Sequence, residues 1–122
     1  MIHAQKADRR GNVLIQGIIG IQKEPVLASK KAIVTVEEIV DKLDAPMNAC
    51  VIPSRVVTYV SEVPGGAHPS YAHGYYQRDN GFCRAWDGIS RDRETFLQWT
   101  REHILETEDF VGFRRSLPQE RR

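Results

Sequence analysis

Apolar positions fall into short runs in the first half of the chain and into three- and four-residue steps in the second. Residues 1–4 are apolar enough for a strand. A polar turn over residues 8–12 closes on Gly11 and Asn12. Residues 13–15 are β-rich and read as the returning strand of a hairpin-like unit, whose first strand needs a neighbour to cover it. Residues 17–21 form an apolar link. Pro25 suits the first turn of a helix, and residues 26–31 continue it. Residues 32–36 lack any charge, which predicts a strand covered on both faces, as in a parallel sheet. Residues 37–43 continue as strand end or as a short helical turn. Residues 49–52 are a strand ended by Pro53, and residues 56–60 a further strand.

From Gly81 the pattern turns helical. Asp92 is placed to cap a helix whose first turn holds Glu94. Phe96, Trp99, Thr100 and then His103 or Ile104 follow at helical spacing. Residues 108–117 read as a last short helix, interrupted by Gly112 and ended by Pro118. Strands in the first half and helices in the second predict an α/β layer structure over a single domain, residues 1–122.

Residues 63–76 break this pattern. They hold His68 and His73, Tyr71, Tyr75 and Tyr76, Ser70, and Gly65, Gly66 and Gly74. Gly65 and Gly66 permit positive φ and close approach of the backbone to another group. Pro64 and Pro69 stiffen the loop. Polar side chains on a stiff loop are the usual dress of a binding site. The expected substrate-binding residues are therefore Gly65, Gly66, His68, Ser70, His73, Tyr75 and Tyr76. The histidines either donate to a bound ligand or hold the loop by bonding backbone carbonyls. The glycine pair either presents N–H groups to an oxyanion or makes a tight turn. The tyrosines suit a ligand pocket, the core or a subunit interface. Ser70 has no partner pattern that marks it as a nucleophile.

Other candidates are structural in the first instance. Adjacent Glu37 and Glu38 in a strand point to opposite faces, so one can line a site while the other meets solvent or a basic partner. Glu62, ahead of the loop, reads as a strand-end acid. Lys6 and Asp8 are expected to pair and shape the turn before Gly11. Trp86, Phe96 and Trp99 read as core or interface.

The net charge of +1 gives no reason to invoke nucleic acid or an anionic membrane. No apolar run approaches the roughly 20 residues of a membrane helix. The chain start lacks the order of a signal peptide. Cys50 and Cys83 have no CxxC spacing. They read as buried thiols of a cytoplasmic protein, with a disulfide as the alternative. No zinc-type spacing is present, so no metal is expected.

Four segments together carry a resemblance. His3, Lys6, Ala7, Asp8, Gly11 and Asn12 resemble the HxxKADxxGN-like turn of family I coenzyme A transferases. Residues 32–40 resemble a family strand ending in VEEIV. Val51, Ile52, Pro53 and Ser54 resemble a later family loop, as do Gly66 through Ser70 with Gly74, Tyr75 and Tyr76. The likeness is to the second half of the A (alpha) subunit of the glutaconate and 3-oxoacid type. It implies a partial three-layer αβα domain. It also implies a role in a cytoplasmic hetero-oligomer that moves coenzyme A between an acyl-CoA and a carboxylic acid. The partner implied by the resemblance is a B (beta) subunit, which carries the nucleophilic glutamate. The catalytic residue is thus unknown within this chain, and the chain alone is not expected to be competent. Coenzyme A thioester enters as substrate, with no permanently bound cofactor. Some relatives with this layout instead hydrolyse ring-containing CoA thioesters of steroid degradation. A non-catalytic structural or interaction module is the remaining alternative.

Overall fold

The computed structural model describes residues 1–117. They divide into two compact units, Met1–Gln77 and the described residues from Arg78 onward.

The first unit is a five-stranded sheet in the order β4-β2-β1-β3-β5. Its strands are β1 (Ile2–Asp8), β2 (Val13–Ile15), β3 (Ile33–Val40), β4 (Cys50–Ile52) and β5 (Tyr59–Glu62). β2 runs antiparallel to β1 and to β4. β1, β3 and β5 are mutually parallel, as the charge-free run at residues 32–36 predicts. A short helix α1 (Lys23–Ala28) lies between β2 and β3 and buries Val26 in the apolar cluster with Ala4, Ala7, Val13, Val34 and Val36. All three residues of β2 are buried, as suits a strand flanked on both sides. Fully burying a valine-sized side chain contributes about 1.5–3 kcal/mol, so this small cluster is the main apolar stabiliser of the unit.

Several sequence expectations need correction. β1 runs to Asp8 because its backbone pairs with β3 as far as Asp8 and Val40, whatever the polarity of Lys6. Strand pairing also settles residues 37–40 as strand. Cover on both faces of residues 32–36 is not found: Val34 and Val36 are fully buried, whereas Ile33 is 46% exposed on the opposite face. α1 stops at Ser29, whose extended backbone and hydroxyl bond to the Pro25 carbonyl end the helix, so Lys30 and Lys31 lie outside it. The strand expected at residues 56–60 is split. Pro53 leads into a 3₁₀ turn at Ser54–Val56, and β5 starts only at Tyr59. There the Thr58 and Tyr59 N–H groups donate to the Ala32 carbonyl, while Thr58 Oγ1 accepts from Ala32 N–H at 3.0 Å.

The second unit is helical: α2 (Asn80–Arg91), α3 (Arg93–Thr100), a π-helical turn (Arg101–Leu105) and α4 (Phe110–Ser116). Each helix start is capped by an aspartate accepting a backbone N–H. Asp79 takes that of Phe82, Asp92 that of Thr95 and Asp109 that of Gly112. Bonds from the Thr95 backbone and hydroxyl hold the Asp92 carboxyl below its ordinary value. Gly112 does not interrupt α4. It sits in the first turn, where its N–H has no helical partner and the cap satisfies it. Pro118 lies outside the described residues. Trp99 is the hub of the expected aromatic group, 4.8 Å from Trp86, 5.0 Å from His103 and 6.5 Å from Phe113 between ring centres. Trp86 and Phe96 meet edge to face at 6.1 Å. Such pairs contribute about 0.5–1.5 kcal/mol beyond area burial.

Cys50 and Cys83 are free thiols and half-buried rather than buried. No helix among the described residues is long and apolar enough to cross a membrane.

The β1–β2 turn yields a test. Asp8 accepts from the N–H of Arg10 and of Asn12 at 2.9 Å, and from Asn12 Nδ2 at 2.8 Å. Burial pushes its carboxyl up, but these bonds and the Arg10 charge outweigh it and hold it below the ordinary 3.8. A depressed folded-state value stabilises the fold above 3.8, and this is lost as pH falls through the folded value. In denaturant melts, Asp8→Ala is therefore expected to be less stable than the parent at about pH 7, with the gap closing towards about pH 3. A pH-independent gap would show that the carboxylate charge is not what holds the turn.

Candidate functional site

The site is built around one buried acid. Successive residues of β3 face opposite ways, so Thr35 and Glu37 share a face and Glu38 takes the other. The sequence expectation that the two glutamates part company holds. The Glu37 side chain is 3% exposed and that of Glu38 48%.

Three donors converge on Glu37. His3 Nε2 lies 2.6 Å from Oε1, the Tyr76 hydroxyl donates to the same oxygen at 2.6 Å, and the Gly65 N–H donates to Oε2 at 2.8 Å. His3 stands beside Thr35 in the β1–β3 register, and its Nδ1 is 2.8 Å from Thr35 Oγ1. This second contact fixes the ring so that Nε2 aims at the acid. Tyr76 closes the loop on itself, because its hydroxyl also accepts from Ala67 N–H at 2.9 Å. A hydrogen bond to a charged group is worth about 1.5–3 kcal/mol, and a buried acid stripped of its donors costs more than the bonds return.

Glu38 is the outer counterpart. It is the register partner of Lys6, whose Nζ lies 3.1 Å from Oε2, and it accepts from the Tyr75 hydroxyl at 3.1 Å. Bonds from Lys6 and then Tyr75, with the Lys6 charge, hold the Glu38 carboxyl below its ordinary value. Burial, then the hydrogen bond to Glu38, pushes the Tyr75 phenol up to about 12, so it is a neutral donor at physiological pH. The expected Lys6–Asp8 pair does not form. Lys6 goes to its cross-strand neighbour Glu38 and Asp8 to Asn12. Two consecutive glutamates of β3 thus hold two consecutive tyrosines of the loop, Glu37 with Tyr76 and Glu38 with Tyr75.

The loop residues fall into two groups. Gly65 and Tyr76 contact the acid, and Gly66 lies against the His3 ring. Gly65 has φ +84, and its N–H is spent on Glu37. The Gly66 N–H donates to the Val63 carbonyl. Both N–H groups are therefore engaged within the fold, which is the tight-turn reading of the pair. Ser70, His73 and Tyr75 are exposed, and His68 is half-buried ahead of the cis peptide bond to Pro69. His73 packs against Gly17, where an added Cβ would lie 2.8 Å from the His73 Cβ. Glu62 accepts from the Ile39 N–H at 2.7 Å, the strand-end role expected of it.

Among the described residues no cluster of three or more His, Cys, Asp or Glu side chains is placed to hold a metal. An open cavity of about 370 Å³ lies beside Asp8, Arg9, Gly11, Ser54 and Tyr59, with no residue of 63–76 in its lining. Sequence reasoning missed the roles of His3 and Thr35. His3 opens the motif of the resemblance, but its contact with Glu37 depends on the β1–β3 register, which is non-local.

Gly66 gives a second test. An added Cβ would meet the His3 ring at 2.8 Å, whereas at Gly74, with φ +83, it meets nothing within 4 Å. Gly66→Ala is expected to cost about 1–3 kcal/mol in a denaturant melt through steric displacement. Gly74→Ala should cost only the backbone term of about 1–2 kcal/mol. The decisive readout is the His3 ring proton NMR shift, which should move in the first variant and stay in the second. An unmoved shift in both would mean the ring does not rest on Gly66.

Known proteins resemble this chain in sequence and fold. The family model described as coenzyme A transferase matches residues 1–63. The A-type subunit of the 3-oxoadipate CoA-transferase of Pseudomonas knackmussii is 61% identical over 119 residues, which are 98% of this chain and 42% of the relative. The glutaconate CoA-transferase of Acidaminococcus fermentans matches twice. Its A-type subunit is 35% identical over 89% of this chain and 35% of the relative. Its crystal structure superposes with a TM-score of 0.82 at 32% identity, over 95% of this chain and 38% of that one. A structure of the decarboxylase AibA/AibB in a variant form superposes at 0.60 with 28% identity, over 79% of this chain and 37% of that one. The chain thus spans less than half the length of each of these relatives. By the family match, the ordered sequence motifs and the shared α/β fold, the chain belongs to the coenzyme A transferase family.

Proposed function

We propose that residues 1–122 form a segment of the A-type subunit of a cytoplasmic, hetero-oligomeric enzyme that transfers coenzyme A between an acyl-CoA and a carboxylic acid. The observation that carries this reading is the 61% identity, over nearly the whole chain, to the A-type subunit of a 3-oxoadipate CoA-transferase. That relative suggests a 3-oxo dicarboxylic acid as the acceptor.

The chemistry has three stages. A glutamate carboxylate on the partner B subunit opens the reaction at the thioester carbon, where the C–S bond breaks to give a mixed anhydride and CoA thiolate. The thiolate attacks the glutamyl carbonyl, releasing the first acid and leaving a glutamyl-CoA thioester. The second acid then takes the coenzyme A by the reverse steps. Electrons and atoms balance without an outside oxidant or reductant. Glu37 is unsuited to the nucleophile's part, since His3, Tyr76 and Gly65 already occupy its oxygens. The role of this chain is to present loop residues 63–76 to the acyl group, with Ser70 and His73 as outward polar groups, His68 and the Glu38-bound Tyr75 beside them, and Gly65, Gly66 and Tyr76 as the base.

The test joins a B-type subunit, the complementary A-type segment and this chain. Acyl-CoA and 3-oxoadipate are supplied, and free CoA and the new thioester are followed together. Formation of the 3-oxoadipyl thioester only with all components present is the expected result. Release of free CoA without a new thioester would replace transfer by the hydrolase reading. No turnover in a formed complex would leave a structural module.

A further inference from the structure

Glu37 is buried and meets three partners that are far from it in the chain. His3 belongs to β1, Gly65 opens the loop and Tyr76 ends it. The two loop contacts bracket the segment that holds His68, Ser70 and His73. Between them the loop is cross-braced. Gly66 N–H donates to Val63, His68 N–H to Gly65, Ser70 N–H to Ala67, and Ala67 N–H to the Tyr76 hydroxyl. Two of the loop's anchor points thus fall on one buried carboxylate, with the exposed Tyr75–Glu38 bond as an outer third. On the strand side Glu37 is held by β3 itself and by His3, which Thr35 orients.

A buried acid with such partners has an alternative use as a fold-wide strut. Its position argues otherwise. Ile33 and Ile39 lie on the same face of β3 and are 46% and 39% exposed, so that face has no continuous core for a strut to brace. The apolar cluster lies on the opposite face, with Val34 and Val36. Beyond the neighbouring His3, what Glu37 holds is the loop. Positioned recognition groups cost less to order on binding than mobile ones, which is where such an anchor would act.

We propose that Glu37 is a positioning residue: through Gly65 and Tyr76 it fixes residues 65–76 in the conformation that meets the acyl group. This rests on the transferase reading above, but the loop-holding step is measurable without turnover.

Amide hydrogen exchange is measured on the chain and on two variants. Glu37→Gln keeps one acceptor oxygen and turns an NH₂ group towards a donor. Tyr76→Phe removes only the hydroxyl, and it keeps the question open if the first variant does not fold. Exchange across residues 65–69 should rise about tenfold or more in each, with β1 and β2 protection unchanged. In the assembled enzyme kcat/KM for acyl-CoA should fall about tenfold or more in step, since small misplacements of positioned groups are costly. Loop exchange equal to the parent in Tyr76→Phe and in folded Glu37→Gln overturns the proposal, as does faster loop exchange at unchanged kcat/KM. A parent assembly without turnover overturns the transferase reading instead, and the exchange result still decides whether Glu37 holds the loop.

Discussion

A carboxylate removed from water must be answered by donors, and the answer given to Glu37 organises the first unit. Water would have satisfied four lone-pair positions; here a ring nitrogen, a phenol and a backbone amide stand in. Desolvating an acid is costly, so a geometry in which any one of the three is missing is selected against. The strand register, the glycine at position 65 and the tyrosine at position 76 are therefore not independent features. Each is needed because the others expose an acid to a dry environment unless all are present.

The same logic explains why a loop can be held without a core beneath it. Ile33 and Ile39, on either side of Glu37, remain partly exposed, so apolar burial contributes little on that face. Directional bonds take its place. They fix angle as well as distance, which a greasy contact does not, and a recognition loop requires that. The helical unit uses the other strategy. Its rings meet edge to face around Trp99, and among the described residues α2, α3 and α4 contain no buried residue.

Much of the architecture could be read from residue order. The hairpin at residues 8–15, the charge-free central strand and the Asp92 cap follow from turn chemistry, strand composition and capping, all of which are local. The strand faces were legible too, since alternation alone separates Glu37 from Glu38. What stayed hidden is non-local. That Lys6 meets Glu38 and not Asp8 depends on β1–β3 register, thirty-two residues apart. That Val56 and Val57 lie outside a strand depends on Pro53 starting a turn and on Ala32 offering its carbonyl to Thr58 and Tyr59. The loop at residues 63–76 was marked by composition, but which of its members look inward was not. Tyr75 and Tyr76 are chemically alike and adjacent, and only the position of the two glutamates separates them.

That pairing has a consequence for how the segment tolerates change. The two Glu–Tyr couples look like duplicates when read along the chain, yet they are not spares for each other. The outer couple shares its acid with Lys6 and sits half in solvent, so water can replace either member at small cost. The inner couple has no such substitute. Because side chains alternate along β3, deleting one residue before Glu37 would bring the solvated acid under the loop and turn Glu37 to the opposite face. The dipeptide therefore acts as a phase marker: it records which way the strand must be threaded, and a length change upstream would be read out first as a misplaced loop.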